Sequence, residues 1–171
     1  MPRTCALRPP ARAPWAGLFV SLVILLAGTA RASVLPTMFA PTGEAAVDYF
    51  GWAVGTAGDV NGDGYADIVV GAWANDDSGT NAGRAYVFFG GPKADDVADL
   101  VLSNVTGGGG LGISVGTAGD VNGDGYADVI VGAHGSDAGG ADAGRAYVYF
   151  GGVGGLDDTP DVVVTGTTTG V

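Results

Sequence analysis

The sequence predicts an all-β protein built from two copies of one four-stranded unit. Three observations lead there. Residues 50–91 align with 111–152 at a constant offset of 61, with 29 identities in 42 positions and no gap. Within one period the apolar runs are short, rich in β-branched and aromatic residues, and bounded by Gly, Asp and Asn. From residue 33 onward no stretch carries the 3.6-residue period of an amphipathic helix.

The chain opens differently. Residues 1–14 contain Arg3, Arg8 and Arg12 and no acid, and Trp15 to Ala30 is free of charge. Ala30-Arg31-Ala32 then supplies a small-x-small triplet. A basic start, an apolar middle and such a triplet make residues 1–32 a secretory signal peptide. The apolar run is about 16 residues, short of the ~20 that span a bilayer as a helix. No stable membrane span is expected after cleavage, and the localisation expected is secreted or extracellular. Cys5, the sole cysteine, leaves with the signal, so no disulfide braces the remainder.

Residues 33–49 have room for a single N-terminal strand. The first repeat, 50–110, then offers four strands in order. Phe50–Thr56 is short and apolar; Asp67–Gly71 is compact and β-branched; Arg84–Phe89 alternates aromatic and aliphatic residues; Val97–Val105 supplies the last. The second repeat, 111–171, has the same plan, and the block Val54–Asp67 recurs unchanged as Val115–Asp128. Four strands in about sixty residues make one antiparallel sheet, which cannot bury both faces alone. Stacking such sheets face against face gives β-propeller blades. Glycines at 51, 55 and 71, with their counterparts at 112, 116 and 132, are expected to permit close approach of crowded strands.

Composition narrows the function. The chain has 171 residues, 18 acids against 7 bases, and 47% hydrophobic residues, too apolar for a disordered acidic tail. A surface this acidic repels phosphate, so nucleic acid is excluded as a partner. Once 1–32 is removed, only Arg84, Lys93 and Arg145 remain as bases.

The strongest chemical signal is a pair of oxygen-rich loops. Asp59, Asn61, Asp63 and Asp67 stand at positions 1, 3, 5 and 9 of the first, and Tyr65 at position 7 offers its backbone carbonyl. Asp120, Asn122, Asp124, Tyr126 and Asp128 repeat the set. Gly64 at position 6 allows a sharp turn. Calcium takes about six to eight oxygen ligands in a flexible cage, and each loop supplies five groups. Two Ca2+ sites are therefore expected. Magnesium demands stricter octahedral geometry, and zinc lacks its sulfur and imidazole ligands here. An EF-hand is excluded because position 12 is Val70 or Val131 inside an apolar strand, where that loop carries Glu. The same departure counts against a dockerin module. Without a cation the clustered carboxylates repel, so calcium is expected to stabilise the fold.

Phe50-Gly51, the Asp loop and then Gly71-Ala72-Trp73 resemble the FG-GAP repeat. That repeat builds the seven-bladed propeller of integrin alpha chains and of many secreted bacterial proteins. The resemblance covers about 50–171. It implies that each Asp loop joins the first two strands of a blade and binds calcium, which gives the ligand role to the ten loop residues named above. The second copy departs in carrying Leu111-Gly112 for Phe-Gly and His134 for Trp73. A closed propeller needs about four to eight blades, and this chain has two. A third repeat would begin at 172. The expectation is an incomplete propeller: a fragment of a longer product, or an open pair whose exposed sheets meet further blades or another copy of the chain.

Two functional classes are consistent with these features. One is a non-catalytic, calcium-stabilised extracellular module that binds a protein or glycan, as adhesion propellers do. Its recognition surface would lie at Asn75–Ala82 and Gly135–Ala143, where the copies differ most. The other is an accessory part of a secreted hydrolase whose catalytic domain lies elsewhere. Within this chain Asp76-Asp77, Asp95-Asp96 and Asp157-Asp158 read as solvated turns, and His134 as a packing residue. Trp52 and Trp73 fall on strand-like positions and are expected in the core. Arg84 and Arg145 are expected to pair with nearby acids. Asn104-Val105-Thr106 is a glycosylation sequon.

Overall fold

The computed structural model describes residues 43–103 and 109–167. The segment expected to be a signal peptide, the first ten residues of the expected N-terminal strand, the sequon at Asn104 and the last four residues lie outside them. Among the described residues there are eight strands and no helix, and hence no helix long and apolar enough to cross a membrane.

The strands form two four-stranded antiparallel sheets, each in simple sequential order. The first contains β1 (Ala53–Gly58), β2 (Asp67–Ala72), β3 (Arg84–Phe88) and β4 (Leu100–Leu102). The second contains β5 (Leu111–Gly119), β6 (Asp128–Ala133), β7 (Arg145–Tyr149) and β8 (Val162–Thr165). All eight strands overlap runs expected from the sequence. The fourth strand begins at Leu100, later than the expected Val97: the Phe89 N–H donates to the Asp99 carboxylate at 2.7 Å instead of to a carbonyl of the neighbouring strand, and residues 104 and 105 of the expected run lie outside the described residues. Asp161 does the same for Phe150 at 2.7 Å. Residues 43–49 form turns and bends rather than a strand. There the Asp48 carboxylate accepts the Ala45 N–H at 3.1 Å and the Asn75 amide at 2.9 Å.

Alternation decides which residues face which way. In the first sheet one face carries Val69, Ala85, Val87 and Leu102, all fully buried. It packs on the face of the second sheet that carries Val129, Val131, Ala133, Tyr147 and Tyr149, and together they form one continuous core. Burial raises the Tyr149 hydroxyl well above its ordinary pKa. The sheets approach so closely that a Cβ on Gly71 would overlap the Gly112 carbonyl oxygen. Gly71 and Gly112 make the close approach expected of them, whereas Gly51 and Gly116, of which the same was expected, meet nothing within 4 Å among the described residues.

The opposite face of the first sheet carries Val70, Ala72, Tyr86 and Phe88. Phe50 partly covers it, meeting Tyr86 edge-on at 5.3 Å between ring centroids and Phe88 at 6.4 Å. The two sheets are stacked and open; they do not close into a ring.

Candidate functional site

The Asp loops join β1 to β2 and β5 to β6, one at the same end of each sheet. A bulge sets up each entry. The pairing of β1 with β2 slips between Thr56 and Gly58, and Gly58 takes φ +83°. The Gly58 N–H donates to the Thr56 hydroxyl at 3.1 Å. A bulge of this kind turns the strand and re-aims the residues after it. The second sheet repeats it at Thr117 and Gly119.

Inside the loop, Asp59 works as a hub. Its Oδ1 accepts the Gly62 N–H at 2.8 Å and the Asp63 N–H at 3.0 Å, and its Oδ2 accepts the Gly64 N–H at 2.9 Å. Asn61 Oδ1 accepts the Asp63 N–H at 2.9 Å, and Asp63 Oδ1 accepts the Tyr65 N–H at 2.9 Å. The same bonds recur in the second loop, where Asp120 receives Gly123, Asp124 and Gly125 at 2.8–3.0 Å. Asn122 and Asp124 accept the Asp124 and Tyr126 N–H groups at 3.0 and 2.9 Å. These side-chain-to-backbone bonds are the mechanical reason that Asp, Asn and Gly alternate there.

Position 9 differs in character. Asp67 and Asp128 are almost wholly buried, Asp59 is half-buried, and Asp63, Asp120 and Asp124 are exposed. Asp67 Oδ2 accepts the Val60 N–H at 2.9 Å and Oδ1 the Gly90 N–H at 2.8 Å. Asp128 holds Val121 and Gly151 in the same way, at 2.7 and 2.9 Å. Each carboxylate thus ties the start of its loop to the end of the third strand. Burial raises the Asp67 pKa; the charges of Asp63 and Asp59 add to the rise, and the Gly90 and Val60 N–H groups oppose it.

The donor set fits a hard cation. Every candidate ligand, namely the carboxylates, the Asn amide and the Tyr carbonyl, is an oxygen. The carboxylate oxygens instead serve backbone N–H groups, and among the described residues no three His, Cys, Asp or Glu side chains are arranged to hold a metal ion.

A second feature lies at the opposite end of β2, where the connection to β3 begins. Trp52 is not in the core: it is 59% exposed. It meets Trp73 edge-on at 6.0 Å, and Tyr49 stacks on Trp73 at 5.6 Å with the planes 8° apart. His134 of the second repeat packs edge-on against the same Trp73 at 6.4 Å, the packing role expected of it. The expectation of two core tryptophans fails because Trp52 precedes β1, outside the alternation that buries strand residues. Tyr49 carries no signal of its own in the sequence. It sits at φ +53°, in the left-handed region, where its counterpart in the second repeat is Gly110 at φ +63°. A backbone that glycine adopts freely is imposed here on a tyrosine.

The other sequence candidates resolve simply. Asp76, Asp95 and Asp157 each accept a backbone N–H within their own turn, from Asn81, Val97 and Thr159. Arg84 pairs with Glu44 at 2.8 Å and with Asp77. Arg145 departs from its expected ion pair: its Nε donates to the Thr165 hydroxyl at 3.2 Å. The reason is positional, since the acid facing Arg84 at Asp77 is replaced by Ala138 in the second repeat.

Two stacked four-stranded sheets, each with an oxygen-rich loop between its first two strands, define the chain as a β-propeller blade protein. The family is specific. The FG-GAP repeat model matches residues 50–88 and 111–149, and the chain is an FG-GAP repeat protein. It is similar to integrin alpha-5 of Xenopus laevis, 31% identical over 137 residues, which are 77% of this chain and 13% of that one. It is 34% identical to integrin alpha-6 of Gallus gallus over 141 residues, 82% of this chain and 12% of that one. With integrin alpha-PS3 of Drosophila melanogaster it shares 38% over 120 residues, 69% of this chain and 10% of that one. The chain therefore spans a small fraction of the length of the relatives it matches.

Proposed function

We propose that this chain is a secreted, non-catalytic adhesion module whose two blades are stabilised by calcium and which binds an extracellular protein or glycan. The observation that carries the reading is the recurrence of one oxygen-rich loop, bond for bond, in both FG-GAP repeats. Asp59, Asn61, Asp63, Asp67 and the Tyr65 carbonyl would hold one ion, and Asp120, Asn122, Asp124, Asp128 and the Tyr126 carbonyl the other. The ion's contribution is charge neutralisation, which links the exposed loop acids to the buried anchor at position 9. Similarity to integrin alpha chains supports the adhesion class.

Recognition falls to the end of the blades opposite the ions. There the Tyr49–Trp52–Trp73 cluster adjoins the connections Asn75–Ala82 and Gly135–Ala143. A tyrosine kept in a conformation that costs about 1–3 kcal/mol is a device commonly found at binding sites. The non-catalytic reading is supported by engagement: one acid of each pair is spent in a turn, and His134 is packed on Trp73.

The test is an array of extracellular-matrix proteins and glycans probed with the purified chain, wild type and Trp52→Ala. Saturable binding lost in Trp52→Ala, with an unchanged circular dichroism spectrum, is the expected result. Binding that ignores Trp52→Ala would move the recognition surface elsewhere.

A further inference from the structure

The interface between the two repeats joins two different faces, and the chain carries a spare copy of each. In that interface the first sheet offers Val60, Val69 and Leu102, all fully buried. Their counterparts at an offset of 61 are Val121, Ile130 and Val163, which are 57%, 37% and 44% exposed. The second sheet offers Val115 and Val129, of which Val129 is fully buried. Their counterparts Val54 and Ile68 are 68% and 39% exposed.

The small residues repeat the pattern. A Cβ on Gly55 would come within 3.1 Å of the Val115 carbonyl, one on Gly58 would overlap Ala127, and one on Gly62 would overlap the Tyr126 ring. At their counterparts Gly116, Gly119 and Gly123 nothing lies within 4 Å among the described residues. Backbone bonds behave likewise. The Ala127 N–H donates to the Asp59 carbonyl at 3.0 Å and the Gly152 N–H to the Val60 carbonyl at 2.9 Å, and both bonds cross between the repeats.

We infer that a second copy of this chain docks head to tail, seating its Val54–Tyr65–Ile68 face on the Gly116–Val121–Ile130 face of the first. The occupant is specified by the molecule itself, because each half of the contact already has its complement in the internal interface. The block that makes the loop and both flanking strands, Val54–Asp67, is identical to Val115–Asp128. The contact is heterologous: each copy uses a different surface toward each neighbour. The assembly does not depend on the calcium reading or on the ligand proposed above.

The experiment is sedimentation velocity on the full chain as wild type, Val54→Asp and Ile130→Asp, each alone and the two variants mixed. Both substitutions are at exposed strand positions, and circular dichroism confirms that each variant is folded. Wild type is expected to sediment as a species larger than one copy. Each variant alone is expected to be monomeric, and the equimolar mixture to form a dimer and nothing larger, since only one intact face remains on each. A monomeric wild type, or a single variant that still assembles, would overturn the inference.

Discussion

At the residue scale the buried aspartates separate structure from ion binding. Asp67 receives two buried backbone N–H groups, so Asp67→Ala strands both donors. The expected loss is about 2–6 kcal/mol, from ~1–3 kcal/mol for each of the two unsatisfied groups, and urea unfolding with chelator present checks it. Asp63 is exposed, and its carboxylate accepts only local bonds, from the Tyr65 N–H and the Asn61 amide. Asp63→Ala is expected to change chelated stability by less than about 1 kcal/mol, in the same unfolding experiment. Gly71→Ala gives a sign test. In an ordinary strand alanine stabilises relative to glycine by roughly 0.5–1 kcal/mol. Here its Cβ meets the Gly112 carbonyl, backbone against backbone, and the expected effect is a destabilisation of ~1–3 kcal/mol, the range for overpacking.

At the element scale, the legible part of the sequence is the part that recurs. β2, β3, β6 and β7 start on Asp or Arg and are mostly buried, and their composition announces both facts. The Asp loops are visible because turn chemistry is local: Asp59 bonds backbone three to five residues ahead. The start of β4 is not visible, since it depends on Asp99 reaching back ten residues to Phe89. The aromatic cluster escapes sequence reasoning for a related reason. Trp52 looks like a strand residue by spacing, yet pairing begins one residue later, and Tyr49 reaches Trp73 only through a left-handed backbone. Segment 43–49 hangs on Asn75 and Arg84, contacts 27 and 40 residues distant. The ion pairs of Arg84 are solvent-exposed on the acid side, so Arg84→Ala is expected to cost no more than about 1 kcal/mol globally. The same change should speed proteolysis within 43–50, read by mass spectrometry of timed digests.

At the scale of the whole molecule, one core shared by both sheets makes the repeats a cooperative unit. They are expected to unfold in a single transition, and on the proposed function calcium should raise its midpoint, because an ion held by the native loops in preference to the unfolded chain stabilises the fold. The loops repel without a cation, being built from three carboxylates each in a chain with 18 acids and 7 bases. Titration calorimetry reports on the proposed calcium sites of both Asp loops at once. Wild type is expected to bind two calcium ions per chain, Asp63→Ala one, and Asp63→Ala with Asp124→Ala none. A folded wild-type chain that takes up no calcium would contradict the account and leave the two loops as turns held by their own hydrogen bonds.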